Sequence, residues 1–352
     1  MNYHKQTILI VLLFVFFPNL VLAKNLDESY FIPVNETELF IRVTGNSKKQ
    51  LILYLHGGPG GFSTLEHDLY KDNLEQNYLI AYLDQRGCGQ SKEIINNKLL
   101  NINQYLEDLD VVIDYLIRKY NKDKINLMGD SWGATYGFLY LIKNPSKVNS
   151  MISNGGVANA PYSYQSLIKK EKELVRELIK KSDNKNDNYN KILEELQRIE
   201  KSSFDNFFED MVLIKHKFPK QLGFNPYRVK PQNGPPSKKV LEDAGISMDV
   251  LMSFFQKAEF VNKAFRNDAE YNNLDILRQL EVIKIPVLVI QGDSDYSIGI
   301  DQGKMIYSSL SKNFGDNKYL KIIENTGHST TGESPKKVIP IIENFLEIHT
   351  KN

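Results

Sequence analysis

The stretch that most constrains the fold is "INLMGDSWGATYGFLYLIKN", residues 125–144. A short apolar run, "INLM", meets Gly129-Asp130-Ser131-Trp132-Gly133, and helical residues follow. The pattern G-x-S-x-G between a strand and a helix is a tight turn that lifts the serine above the end of a sheet. Its glycines let the backbone turn where a side chain would crowd its neighbours. Ser131 is therefore the candidate nucleophile.

A strand that passes directly into a helix suits a parallel sheet, and the chain repeats this alternation. "LILYLH" (51–56) and "YLIAYLDQ" (78–85) read as buried strands. Residues 102–120 place Ile102, Leu106, Leu109, Val112, Ile113, Leu116 and Ile117 on one helical stripe. "VNSMISNG", "IPVLVIQGD" (285–293) and "KYLKIIE" (318–324) are further strands, with helices near 300–311 and at the C-terminus. Two strand-like runs around Asn35-Glu36 predict a hairpin ahead of them. Between about 160 and 280 the alternation stops and only helical patterns appear. The expected class is α/β: a mostly parallel sheet with helices on both faces and an inserted helical cap over the C-terminal strand ends, where open α/β sheets place their sites. The expected division is 24–158 with 282–352 as the catalytic domain and 159–281 as the cap.

The first 23 residues differ in kind. Lys5 precedes an apolar run from Ile8 to Phe17, and Val21-Leu22-Ala23 suits a cleavage site. The run is about half the roughly 20 residues of a membrane-spanning helix, so a cleaved signal peptide is expected over an anchor. The expectation is an exported protein, periplasmic or extracellular, with no stable membrane association after cleavage. Cys88 is the only cysteine, so no intramolecular disulfide can form, and it reads as a packed thiol. A net charge of +1 gives no reason to expect nucleic acid as a partner. No metal-ligand cluster or phosphate-binding loop appears, and no cofactor is expected.

A serine hydroxyl needs a base. Of six histidines, His56 and His328 stand just past strands. His56 opens the loop "HGGPGG" and reads as its brace, which leaves His328 in "TGHS" as the base. The base needs an acid to fix its tautomer, and "GDSD" offers Asp293 and Asp295 at a strand end. Asp295 has the favoured Gly-x-x-Asp spacing, and the preceding strand ends in Asn154 rather than an acid. Acyl transfer also requires two N–H donors for the developing oxyanion. One is the amide of Trp132, after the nucleophile; the other lies in "HGGPGG", where Pro59 has no N–H and Gly58 is the best donor.

These motifs together, "HGGPGG" (56–61), "DQRGCGQS" (84–91), "GDSWGATYG" (129–137), "GDSD" (292–295) and "TGHS" (326–329), resemble the proline iminopeptidase family of α/β-hydrolases. The resemblance implies a metal-independent serine peptidase that releases an N-terminal residue, often proline, from small peptides. It implies Ser131, Asp295 and His328 as the triad, Gly58 and Trp132 as oxyanion donors, and Asp84, Arg86 and Gly87 as a turn bracing the glycine loop. It further implies acidic cap residues for the substrate amine, for which Glu209 and Glu259 are the candidates, although both fall off their apolar stripes. Asp130 stands where the family usually has glycine, and the cap has no tryptophan. Triad and oxyanion loop do not separate amide from ester. A carboxylesterase on small acyl esters is the alternative, and a non-catalytic binding protein of this fold is the third reading.

Overall fold

The computed structural model describes residues 25–349, apart from Leu65, Ile95 and the segments 183–186, 203–206, 230–237 and 311–316. The leader expected over residues 1–23 lies outside the described residues. No helix among the described residues is long and apolar enough to cross a membrane.

The strands are β1 (Asn25–Val34), β2 (Thr37–Asn46), β3 (Leu51–Leu55), β4 (Leu79–Leu83), β5 (Ile125–Asp130), β6 (Val148–Asn154), β7 (Val287–Gly292) and β8 (Lys318–Ile323). They form one sheet in the order β1-β2-β4-β3-β5-β6-β7-β8. β1 pairs antiparallel with β2, and β2 antiparallel with β4; every other neighbouring pair is parallel. The first pair is a hairpin turned at Glu36, whose φ is +59°.

Parallel strands covered on both faces carry unbroken apolar runs. In β3 all five residues are buried. Leu51, Leu53 and Leu55 enter the core on one face, while Ile52 and Tyr54 enter the core on the other. The first face receives α1 (Ile102–Tyr120) and α2 (Trp132–Lys143); the second receives α3 (Pro335–His349) through Val338, Ile342, Phe345 and Leu346. On α1, Leu109, Val112, Ile113 and Leu116 are each 0% exposed. Burial of each such side chain contributes about 2 kcal/mol, which is what holds this layer on the sheet. The side chain of Asn101 caps the helix by accepting from the Gln104 N–H at 2.9 Å. At the other end Asn121 takes φ +48°, which stops it.

Chain order changes direction around β3. β4 lies on one side of it, and the chain then crosses to β5 on the other. The loops after β3 and β5 therefore diverge at a topological switch point, the place where such sheets open a crevice. Between β6 and β7 the chain builds a helical layer, including Ala160–Lys181, Asp187–Lys201 and Met248–Arg266, before returning through the 3₁₀ turn Gln279–Val282. This layer seats on the glycine loop after β3: a Cβ at Gly60 would lie 2.6 Å from the Ala258 carbonyl oxygen. Lys257 ties the same helix down by donating to the carbonyls of Gly89 and Ser91 at 3.2 and 2.9 Å.

Candidate active site

Ser131 sits at the turn between β5 and α2 with φ +55° and ψ −118°, a conformation costly for a non-glycine residue. Its surroundings hold it there. The Ser131 N–H donates to the Asn154 carbonyl at 2.8 Å, and its own carbonyl accepts from the Ala134 N–H at 3.0 Å. A Cβ at Gly129 would overlap the Gly133 backbone, and one at Gly133 would overlap the Leu55 carbonyl. Both glycines are thus required by contact.

His328 follows β8 and Asp295 follows β7. His328 Nδ1 lies 2.7 Å from Asp295 Oδ2, and the Ser297 hydroxyl donates to Asp295 Oδ1 at 2.7 Å. Asp295 is 0% exposed and His328 is 16% exposed. With Nδ1–H donated to the carboxylate, Nε2 is left as the free acceptor on the ring. Asp293, by contrast, is exposed and turned to local partners, accepting from the Ser294 hydroxyl at 2.9 Å and the Thr326 N–H at 3.3 Å.

Asn154 has a role that sequence reading missed. Its Oδ1 accepts from the Thr330 hydroxyl at 2.6 Å, and its Nδ2 donates to the Thr331 hydroxyl at 3.3 Å. Its carbonyl holds Ser131, so this one residue links the serine turn to the histidine loop. The next residue, Gly155, comes so close to His328 that a Cβ would lie 3.2 Å from the ring. The cap fixes the other side, where the His328 N–H donates to the Tyr227 carbonyl at 2.6 Å.

The glycine loop lies directly beside the serine: a Cβ at Gly57 would lie 3.2 Å from the Ser131 Cβ. Gly58 has φ +130° and joins Pro59 through a cis peptide bond. Among the described residues, neither the Gly58 nor the Trp132 N–H is taken up by a turn or loop hydrogen bond. His56 Nε2 accepts from the Gln85 N–H at 3.1 Å, so Nδ1 carries the proton and donates to the Gly57 carbonyl at 2.8 Å. Burial holds His56 below the usual imidazole range despite the nearby Asp84 carboxylate. With both nitrogens occupied, His56 supports the loop and cannot serve as a base.

Gln85 completes the link. Its Nε2 donates to the His56 carbonyl at 2.9 Å, and its Oε1 accepts from Trp132 Nε1 at 3.0 Å. Asp84 accepts from the N–H and hydroxyl of Ser63 at 2.7 and 2.8 Å, which closes the far side of the glycine loop. Arg86 makes a buried two-pronged pair with Asp108, both contacts at 2.7 Å. Gly87 takes φ +70°, a left-handed conformation that favours glycine at this turn. Cys88 is buried among these residues, and its thiol is pushed up by that burial.

A cavity of about 70 Å³ opens beside the serine, lined by Gly58, Ser131, Trp132, Tyr164, Lys215 and Tyr271 among others. Glu209 and Glu259 are not part of it. Both are exposed, and neither is a lining residue, because their helices turn these positions outward. The structure instead brings Lys215 into the cavity, a residue that sequence reading did not single out. On the opposite face of the sheet, Asp130 accepts from the Tyr54 hydroxyl at 2.8 Å, and burial raises its carboxyl. Glu66 nearby is pushed up to about 8 by burial and by the Asp130 charge.

Comparison with known proteins agrees with this architecture. A model of the alpha/beta hydrolase fold family matches residues 50–335. The chain is 24% identical to a proline iminopeptidase of Saccharolobus solfataricus, covering 92% of this chain and 93% of the relative. It is also 24% identical to a proline iminopeptidase of Heyndrickxia coagulans, covering 88% and 98%. The crystal structure of a Mycobacterium smegmatis proline iminopeptidase superposes with a TM-score of 0.63 at 18% identity, covering 92% of this chain and 99% of that one. With its sheet order and a match running through both halves of the sheet, the chain belongs to the alpha/beta hydrolase fold family and is a hydrolase related to the proline iminopeptidases.

Proposed function

We propose that the chain is a serine hydrolase that cleaves an amide or ester bond of a small substrate through an acyl-enzyme on Ser131. The observation that carries this reading is the Asp295–His328 pair, at 2.7 Å, on the strand ends beside the strained serine turn. In the proposed cycle His328 Nε2 takes the Ser131 proton as the oxygen attacks the carbonyl. Asp295 stabilises the imidazolium, and the Gly58 and Trp132 N–H groups receive the oxyanion. His328 then gives the proton to the leaving group, and water repeats the sequence to release the acid. Turnover of 4-nitrophenyl acetate and prolyl 4-nitroanilide by wild type and Ser131→Ala tests it. Loss on both substrates supports the reading, and retained turnover refutes it.

Release of an N-terminal residue is one narrower form of this function. It is supported by the similarity to proline iminopeptidases across about nine-tenths of both chains. Prolyl and N-acetyl-prolyl amides separate the two forms, since only an aminopeptidase requires the free amine. We further propose export, supported by Lys5 and the apolar run Ile8–Phe17 ahead of Ala23.

A further inference from the structure

The cavity beside Ser131 is cationic where an amine-binding site would be acidic. Among the described residues that line it none is Asp or Glu, and Lys215 is the one charged group. Lys215 comes from the cap, in the short π-helical turn Leu213–Lys217, which sets its side chain inward while Lys217 stays exposed. Its Nζ lies 5.7 Å from the centre of the Tyr164 ring, another lining residue. Among the described residues no carboxylate lies within ion-pairing distance of Lys215, so the ammonium is not neutralised locally. Burial and the neighbouring Arg266 push it down to about 8, with Asp295 acting the other way, so the side chain is mostly charged at neutral pH.

A partly buried cation with no paired carboxylate among the described residues favours an anionic ligand over a neutral one and opposes a cationic one. The side of the cavity decides which half of the substrate carries the charge. It is lined by the oxyanion donors Gly58 and Trp132 and by cap residues, whereas His328, which gives the leaving group its proton in the proposed cycle, is not among its described lining residues. The cavity is therefore the place of the acyl half.

We infer that Lys215 selects substrates whose acyl part ends in a carboxylate, a reading that rests on the proposed serine hydrolase. The competing expectation is an acyl part carrying an ammonium, as an aminopeptidase substrate would.

Three 4-nitrophenyl esters of matched length test the inference: the monoester of adipic acid, its terminal carboxamide and the ester of 6-aminohexanoic acid. After subtraction of spontaneous hydrolysis, wild type should show kcat/KM in the order carboxylate, amide, ammonium, with the first step at least about tenfold. Lys215→Met should bring the three within about threefold of one another, and Lys215→Arg should keep the order. Equal or reversed order in wild type, or an order untouched by Lys215→Met in a variant with wild-type circular dichroism, overturns the inference. Ser131→Ala, run on the amide ester, keeps the two readings apart. Ser131-dependent turnover without carboxylate preference refutes the role of Lys215 alone. Turnover that survives in Ser131→Ala refutes the serine hydrolase itself.

Discussion

Replacing Glu171 by Gln should stabilise the protein, and by more as pH rises. Glu171 lies on the cap helix Ala160–Lys181, is 0% exposed, and among the described residues neither carboxyl oxygen has a hydrogen-bond partner. Burial raises its carboxyl from the ordinary 4.5 to about 9, so the folded protein keeps it protonated. The sign follows from which state binds the proton more tightly. The folded state does, so its stability is complete below the unfolded value of 4.5 and falls as pH climbs towards 9. The loss is about 1.4 kcal/mol per pH unit, or about 3 kcal/mol by pH 7 as a ceiling. Gln has the shape and neutrality of the protonated acid but does not titrate. The difference in stability between Glu171→Gln and wild type should thus be small at pH 5 and grow steadily to pH 8. At pH 7 the gain in Tm should be about 4 °C for a chain of this length. Thermal unfolding of both proteins across pH 5 to 8 measures it, and other titrating groups cancel in the difference. A difference that stays flat with pH would show that Glu171 is ionised in the folded protein, and the reasoning fails.

Other predictions concern the site directly. Asp295→Asn should lower kcat on the order of 10⁴-fold, whereas Asp293→Asn should change it by only a few-fold, which steady-state kinetics on one ester would show. Gln85→Met leaves Trp132 Nε1 and the His56 carbonyl without partners, so stability should fall by about 1–3 kcal/mol and kcat by about tenfold or more, read by urea unfolding and kinetics. Gly133→Ala forces a Cβ into the Leu55 carbonyl and should cost about 3 kcal/mol or more, with activity lost in whatever folds. N-terminal sequencing of protein recovered from an exporting host should begin at Lys24; a major species retaining Met1 refutes export.

What could be read from the chain divides by range. The helix at Ile102–Tyr120 was legible because its apolar spacing is local and its buried face is continuous. The serine turn was legible because its two glycines form a local pattern between a strand and a helix, although the contact that demands Gly133 is with distant Leu55; His328 and Asp295 were legible because each closely follows a strand. His56 could be set aside from its place in the glycine loop, and its two hydrogen bonds give the physical reason. Asn154 was noticed only as a missing acid, since its hydrogen bonds reach Thr330 and Thr331 from far along the chain. The cap was the least legible part. Glu209 and Glu259 have the right chemistry for an amine, but the direction a cap helix faces depends on how it packs, not on its own composition. Lys215 reaches the cavity through a π turn that its apolar pattern does not announce.

The central claim is that Ser131 is the nucleophile, and covalent capture tests it most directly. Wild type would be treated with a fluorophosphonate ester, weighed intact by mass spectrometry, and digested to locate the adduct. One phosphonyl group per chain is expected, on the peptide that carries Gly129-Asp130-Ser131-Trp132-Gly133 and on Ser131 itself. It should be absent in Ser131→Ala and form far more slowly in His328→Ala. An adduct on another residue, or a Ser131→Ala protein that is labelled and turns over substrate like wild type, would contradict the account.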